Sequence, residues 1–492
     1  MKKILIIISV IAITFSSCKR IDFGDTNVDP TATYEKDVNA LFRGASISYA
    51  TASGRVGYSN ATLYAQYQSQ TIYTQEQRYM HYTGSWYSNY VNQLASFKQI
   101  IDTHDDPQGG QNENLRGMAE VMSILIWKRT TDTYGDIPYS EALQGEENLT
   151  PKFDHQLDIY IDLLARAKAA RDLMDPNALY VPDADTDIFY KGDMDKWKKL
   201  ANSVILSLSL QLSKCSASAA GQTAFQEAVN SGVGFIESVE EDLVFTPYTI
   251  GFINNPIASS RPGDFKLTKE FTQALRGTNP ETWGPALTDD KNITSNHEVD
   301  LRLAAYASSP TREGLPFGYG SYPRSMRRAA TSMGSKYKKS SAPFTLFSSA
   351  YTWLNRAEGS VIYASGENTA DMLTNGIKTS FLAAGRSEAE GLTHAAVRVA
   401  DAGTVAGGWN QVIGEEKWFA LFPNGFAAWA EQRRTGYPAL HPAPEATNGR
   451  VIPHRMLYPL NSKQVNESNW KDGVSTLRPA VDENTSKIPW EL

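Results

Sequence analysis

Apolar positions recur at steps of three and four along much of the chain. Trp197, Leu200, Ala201, Val204, Ile205, Leu208 and Leu212 form one such stripe. Leu115, Met118, Met122, Leu125 and Ile126 form a second, and Leu157, Tyr160, Ile161, Leu164 and Ala167 a third. A fourth runs through Phe347, Ala350, Tyr351, Leu354, Ala357, Val361 and Ile362. This is the period of helices that bury one face. Strand signals are few, and Asp242 to Ile250 is the best of them. Stretches rich in Gly, Pro, Ser and Asn separate the helices at 247–263, 278–300 and 308–342. Loops of that length in a compact domain are often functional. The pattern predicts an all-α protein, mainly α with minor β. It consists of paired, tetratricopeptide-like helical hairpins packed with a loop-rich region, although no clean repeat period is visible.

Trp418 to Pro438, WFALFPNGFAAWAEQRRTGYP, predicts an aromatic amphipathic helix that ends at Arg433-Arg434. Cations in a last turn meet the negative end of the helix dipole, and Gly436 and Pro438 then stop the helix.

The N-terminus departs from this pattern. Met1-Lys2-Lys3 precedes the apolar run Ile4 to Phe15, and Ser16-Ser17-Cys18 follows. These are the three regions of an export signal. The run is shorter than the roughly 20 apolar residues of a membrane span. A cysteine after small residues resembles a bacterial lipobox, which makes Cys18 the candidate lipidation site. The expected organisation is a signal peptide over 1–17, a lipidated tether over 18–33 and a single domain over 34–492. Cys215 is then left without a disulfide partner, and the fold must rest on a large core.

The net charge of −7 argues against nucleic acid and against electrostatic adhesion to anionic lipid. No zinc-protease, nucleophile-elbow or phosphate-loop motif occurs, and no cofactor or catalytic residue is predicted. Asp183, Asp185 and Asp187 open like a calcium loop. Ile188 and Met194, however, stand where that loop needs Gly and Glu, which makes a solvated acidic turn the expectation and no metal site is predicted.

Nine aromatic residues fall between Tyr58 and Tyr90, interleaved with Asn60, Gln66, Gln68, Gln70, Gln75, Gln77 and Asn89. Aromatic faces pack on sugar C–H groups while amides bond to hydroxyls. Tyr79, Trp86 and Asn89 from this cluster, with Trp283 and Tyr319 from the long loops, are the candidate ligand-binding residues.

Six further elements stand in a fixed order behind Cys18. They are RTTDTYGDIPYSEAL (Arg129 to Leu143), GDMDKWKKLANSVILSLSLQLS (Gly192 to Ser213), DLRLAAY (Asp300 to Tyr306), Ala357-Glu358, EEKWFALF…WAEQRRTGYP, and IPHRMLYPLNSKQVNESNW (Ile452 to Trp470). In this order the chain resembles the SusD/RagB family of outer-membrane nutrient-binding lipoproteins of the Bacteroidetes. Leu301 departs from the family's usual Pro and Ser462 from its usual Glu, which puts a buried ion pair at Ser462 in doubt. The resemblance implies a helical fold with tetratricopeptide-like hairpins and lipid anchoring in the outer membrane. It also implies partnership with a TonB-dependent, SusC-like transporter and capture of an oligosaccharide or other nutrient without chemistry. A lipid-anchored glycoside hydrolase and a tetratricopeptide-type interaction scaffold are the alternatives.

Overall fold

The computed structural model describes residues 37–56, 60–81, 83–103, 112–248, 253–277 and 298–492. Residues 1–36, with the expected signal peptide, Cys18 and the expected tether, lie outside them, as does Trp283. Val38 to Leu492 forms one compact unit.

Ten helices of eleven residues or more stand among the described residues. They are α1 (Val38–Val56), α2 (Glu113–Tyr134), α3 (Gln156–Leu173), α4 (Met194–Gln211), α5 (Ser218–Asn230), α6 (Ser349–Ile362), α7 (Thr369–Ala383), α8 (Glu388–Asp401), α9 (Gly408–Leu421) and α10 (Gly425–Thr435). Consecutive helices pack on one another from α2 to α5 and again from α6 to α10, and α4 against α6 joins the two runs. The fold is therefore mainly α, built from helix pairs. Side-chain caps set several boundaries: Asn112, Asp193, Ser348 and Asn424 each accept a backbone N–H from the first turn of α2, α4, α6 and α10.

The periodic stripes bury as predicted, with instructive exceptions. Every member of the Trp197 stripe is at most 1% exposed. Phe347 belongs instead to a strand, because Ser348 caps α6 only afterwards. Ile161 faces solvent, since α3 shows one face to the outside. The strands are short and pair only in twos: β1 (Gln68–Gln70) with β5 (Phe265–Leu267), β2 (Ile137–Pro138) with β3 (Phe153–Asp154), and β4 (Leu243–Phe245) with β6 (Phe344–Phe347), all antiparallel. The strand expected over 242–250 exists only as β4.

Two ionic clusters are sealed inside the second helical run. Arg302 bonds Asp300 and Glu416, while Arg398 bonds Glu415 and Glu416, and these side chains have no exposure. Arg434 holds both oxygens of Glu358, at 2.6 and 2.7 Å, and reaches Glu431 at 2.5 Å. Lys417 also bonds Glu358 and Glu431. The doubled arginine is thus split in role. Arg434 pairs with carboxylates. Arg433 donates to the carbonyls of Trp429, His454 and Asp132 and lies over the rings of Trp429 and Trp490. Gly436 ends α10 in the left-handed conformation at φ 83°, as its place after the arginines predicted.

The Asp183–Asp187 segment is a packing element. The Asp187 carboxylate accepts from the N–H groups of Phe189, Tyr190 and Gly192 and from the Trp197 indole. Among the described residues, no cluster of His, Cys, Asp and Glu could hold a metal ion.

Candidate ligand-binding platform

The β1–β5 pair carries the loop that matters. Ser69 lies opposite Lys266 and Gln70 opposite Phe265, so the chain leaves β1 beside the 261–264 turn. Residues 71–80 are then pinned from both sides. Thr71 N–H donates to the Asp264 carbonyl at 2.7 Å, and Thr74 Oγ1 donates to the Gly320 carbonyl at 2.6 Å. Gln70 and Gln77 exchange amide bonds with each other's backbone, and Gln77 Nε2 reaches the Tyr319 carbonyl and the Tyr322 hydroxyl. Arg78 is tied to the 443–447 loop because Thr447 N–H donates to its carbonyl.

This pinning holds unfavourable backbone in place. Gln66, Tyr73 and Tyr79 have φ of 55°, 55° and 63°, and Arg261 across the strand pair has 54°. Left-handed conformation at non-glycine residues costs energy and gathers where a surface is shaped for use.

The shape it makes is an aromatic and charged platform. Tyr73 is 62% exposed, with the Arg261 guanidinium 5.4 Å above its ring. Arg261 is itself held by Asp264 at 2.8 Å. Tyr319 is half-buried and packs on a small cluster of Leu315, Tyr322 and Ala330. Next to Tyr319 in the chain, Gly320 N–H donates to the Glu445 carboxylate at 2.8 Å. A methyl group on Gly320 would stand 2.9 Å from that carboxylate and 3.3 Å from Arg78 Nη1, so both charged tips converge on this glycine. Ring faces, a guanidinium and a carboxylate held side by side suit a polyhydroxylated ring. The C–H face packs on the aromatic, and hydroxyls donate to Glu445 or accept from the arginines.

The predicted site residues divide. Tyr319 lies on the platform, and Trp283 is outside the described residues. Tyr79 has no exposure, so the expectation that it touches ligand is corrected. Its ring packs edge-on against Tyr64 and beside Phe317, and its hydroxyl accepts the Ala443 N–H. Trp86 is half-buried with Tyr90, Tyr134, Phe153 and Tyr458 around it, an aromatic nest that accounts for it as packing. Asn89 donates to Thr130 and accepts from Arg129, so its amide is already committed. The sequence reading missed Tyr73, Arg78, Arg261 and Glu445 as a site. Tyr73 belonged to the noted aromatic cluster, and the other three carry no local signal.

A cavity of about 300 Å³ also opens beneath α1, α2, α6 and α10, with Arg129, Asp132, Phe344, Tyr351, Phe426 and Arg433 in its walls. In its wall Lys128 holds Asp132 at 2.7 Å, and Arg129 donates to Ser53 and to Asn89 and Gln93 behind it.

Comparison with known proteins agrees with this architecture. A sequence model for the SusD-like family described as "starch-binding associating with outer membrane" matches residues 30–459. A chitin-binding protein of known structure superposes with a TM-score of 0.78 at 22% identity, covering 93% of this chain and 100% of its own. A chitin-binding SusD homologue from Flavobacterium johnsoniae gives 0.76 at 20% identity, covering 93% and 99%. A SusD homologue from Bacteroides uniformis gives 0.74 at 20%, covering 93% and 100%. These likenesses establish a shared fold. No curated protein matches the chain.

Proposed function

The chain belongs to the SusD-like family, and from that premise we propose that it is a saccharide-binding protein of the outer membrane. It holds a glycan on the Tyr73–Tyr319 platform without breaking a bond and passes it to a TonB-dependent, SusC-like transporter. The observation that carries this reading is the exposed Tyr73 ring, held in left-handed backbone under the Arg261 guanidinium, with the adjacent Thr74 bonded to Gly320, on which Arg78 and Glu445 converge. The family description and the chitin-binding relatives support a saccharide as ligand. Trp283, outside the described residues, is proposed as a further ring of the site, and lipid on Cys18 as the anchor. Among the described residues no helix is long and apolar enough to cross a membrane.

A hydrolase would need two carboxylates free to act as acid and base or nucleophile. On the platform Glu445 accepts the Gly320 N–H and Glu76 accepts from Gln70 at 2.7 Å, so both are held in place as hydrogen-bond acceptors. The family's description as starch-binding supports binding without turnover.

The test is titration of wild type, Tyr73→Ala and Tyr319→Ala with chitin and malto-oligosaccharides by calorimetry, with product analysis on the same samples. Losing one stacked ring should weaken binding roughly three- to thirtyfold, by analogy with the ~0.5–1.5 kcal/mol of aromatic pairs plus lost area. Folded variants with wild-type affinity for a glycan the parent binds would remove the platform from consideration. Products that scale with protein would remove the non-enzymatic reading.

A further inference from the structure

The net charge of −7 conceals an uneven distribution. Residues 314–357 contain seven Lys and Arg and no Asp or Glu. Arg356 pairs with Glu237 and Glu367. The other six, Arg324, Arg327, Arg328, Lys336, Lys338 and Lys339, form no ion pair in the described structure.

The fold brings more unpaired cations to the same side. Thr331 and Ser332 run beside β5, where Leu267 N–H donates to the Thr331 carbonyl and Lys266 Nζ donates to Ser332. Lys266 lies close enough to Lys338 and Arg312 for their positive charge to disfavour its own, on top of its partial burial. Arg276 reaches the Pro310 and Arg312 carbonyls and meets no carboxylate. Arg327 Nε and Arg276 Nη1 are buried without any hydrogen-bond partner. The nearest acids are engaged or at the margin: Asp264 holds Arg261, and Glu313 stands 3.9 Å from Lys269.

This strip adjoins the platform. The short helix Arg324–Ala329 leads into Ala330, which packs on the same cluster as Tyr319. Like charges gathered without partners destabilise a fold. Buried guanidinium donors left unbonded add to that cost. A ligand that supplies negative charge and acceptor oxygens relieves both.

We propose that this strip recognises anionic groups on the bound saccharide, and that the natural glycan carries carboxylate or sulfate substituents. The inference rests on the platform reading above. Carboxylate and sulfate both present the paired acceptor oxygens that guanidinium groups fit.

The experiment compares matched polymers on the purified full-length protein: polygalacturonate against its methyl ester, and dextran sulfate against dextran. The variants are Arg324→Glu/Arg328→Glu/Lys339→Glu, all exposed side chains, and separately Tyr73→Ala. At low salt the anionic member of at least one pair should bind roughly ten- to hundredfold tighter, the sum of a few exposed charge contacts. That preference should shrink with added salt. The triple variant should abolish the preference and leave binding of the neutral polymer unchanged. No preference for either polyanion, or a preference intact in the triple variant, overturns the proposal. Vesicles of phosphatidylglycerol in phosphatidylcholine provide a further arm. Binding to them that the triple variant abolishes, without discrimination among the polymers, assigns the strip to a lipid surface and equally overturns it. The platform reading fails separately, if Tyr73→Ala and Tyr319→Ala leave binding of every polymer unchanged.

Discussion

Replacing Arg434 with methionine is expected to destabilise the protein by about 3–5 kcal/mol, the range for breaking a buried ion pair from one side. Arg434, Lys417, Glu358 and Glu431 form a neutral set of two cations and two carboxylates, with side chains at most 5% exposed. Without Arg434, two carboxylates share one ammonium. Glu358 then loses bonds of 2.6 and 2.7 Å and Glu431 one of 2.5 Å. Solvent cannot replace them there. The added substitution Glu358→Gln restores neutrality, because Lys417 and Glu431 remain paired. The double variant should therefore be more stable than the sum of the singles predicts, by roughly 1–3 kcal/mol of coupling. Urea denaturation of the four proteins at neutral pH, followed by tryptophan fluorescence and far-ultraviolet circular dichroism, measures this directly. The neighbouring cations hold the Glu358 and Glu431 carboxyls below their ordinary value, against the opposing effect of burial. The clamp is thus fully present above about pH 4.5, the ordinary glutamate value, and is lost as pH falls below it. A single variant within about 1 kcal/mol of wild type, or strict additivity in the double, would refute the reasoning.

Two further outcomes follow from the same kind of accounting. Trp86→Ala should cost about 3–5 kcal/mol of stability, as large aromatic truncations in packed surroundings do, and leave glycan affinity unchanged in whatever fraction stays folded; thermal denaturation beside calorimetric titration separates the two effects. Burial raises the Asp242 carboxyl from 3.8 to about 7 against the bonds it accepts from Ser349, so its contribution to stability should fall as pH rises from about 4 to 7 and stay level above. Asp242→Asn should flatten that part of the stability–pH profile, and an unchanged slope would count against the assignment.

The helices were legible in the sequence because burying one face of a helix is a local decision. The Trp197 stripe and the stop at Gly436 are each set by residues a few positions apart in the chain. Cys215, expected to have no disulfide partner, is free and buried. The family could be read from the order of six short elements, because that order lies in the chain itself. The site depended on contacts between distant segments. Tyr73 and Tyr79 are the same residue type, six apart, in one polar-aromatic stretch, and both take left-handed backbone. Tyr79 packs inward on Tyr64 and Phe317 and accepts the Ala443 N–H, while Tyr73 stands in solvent beside Arg261. Glu445 reaches Gly320 across 125 residues, and Arg434 meets Glu358 across 76. A sequence pattern records the periodicity of an element's own faces. It does not record which distant loop will supply the partner for a charge, and that choice fell to the tertiary structure.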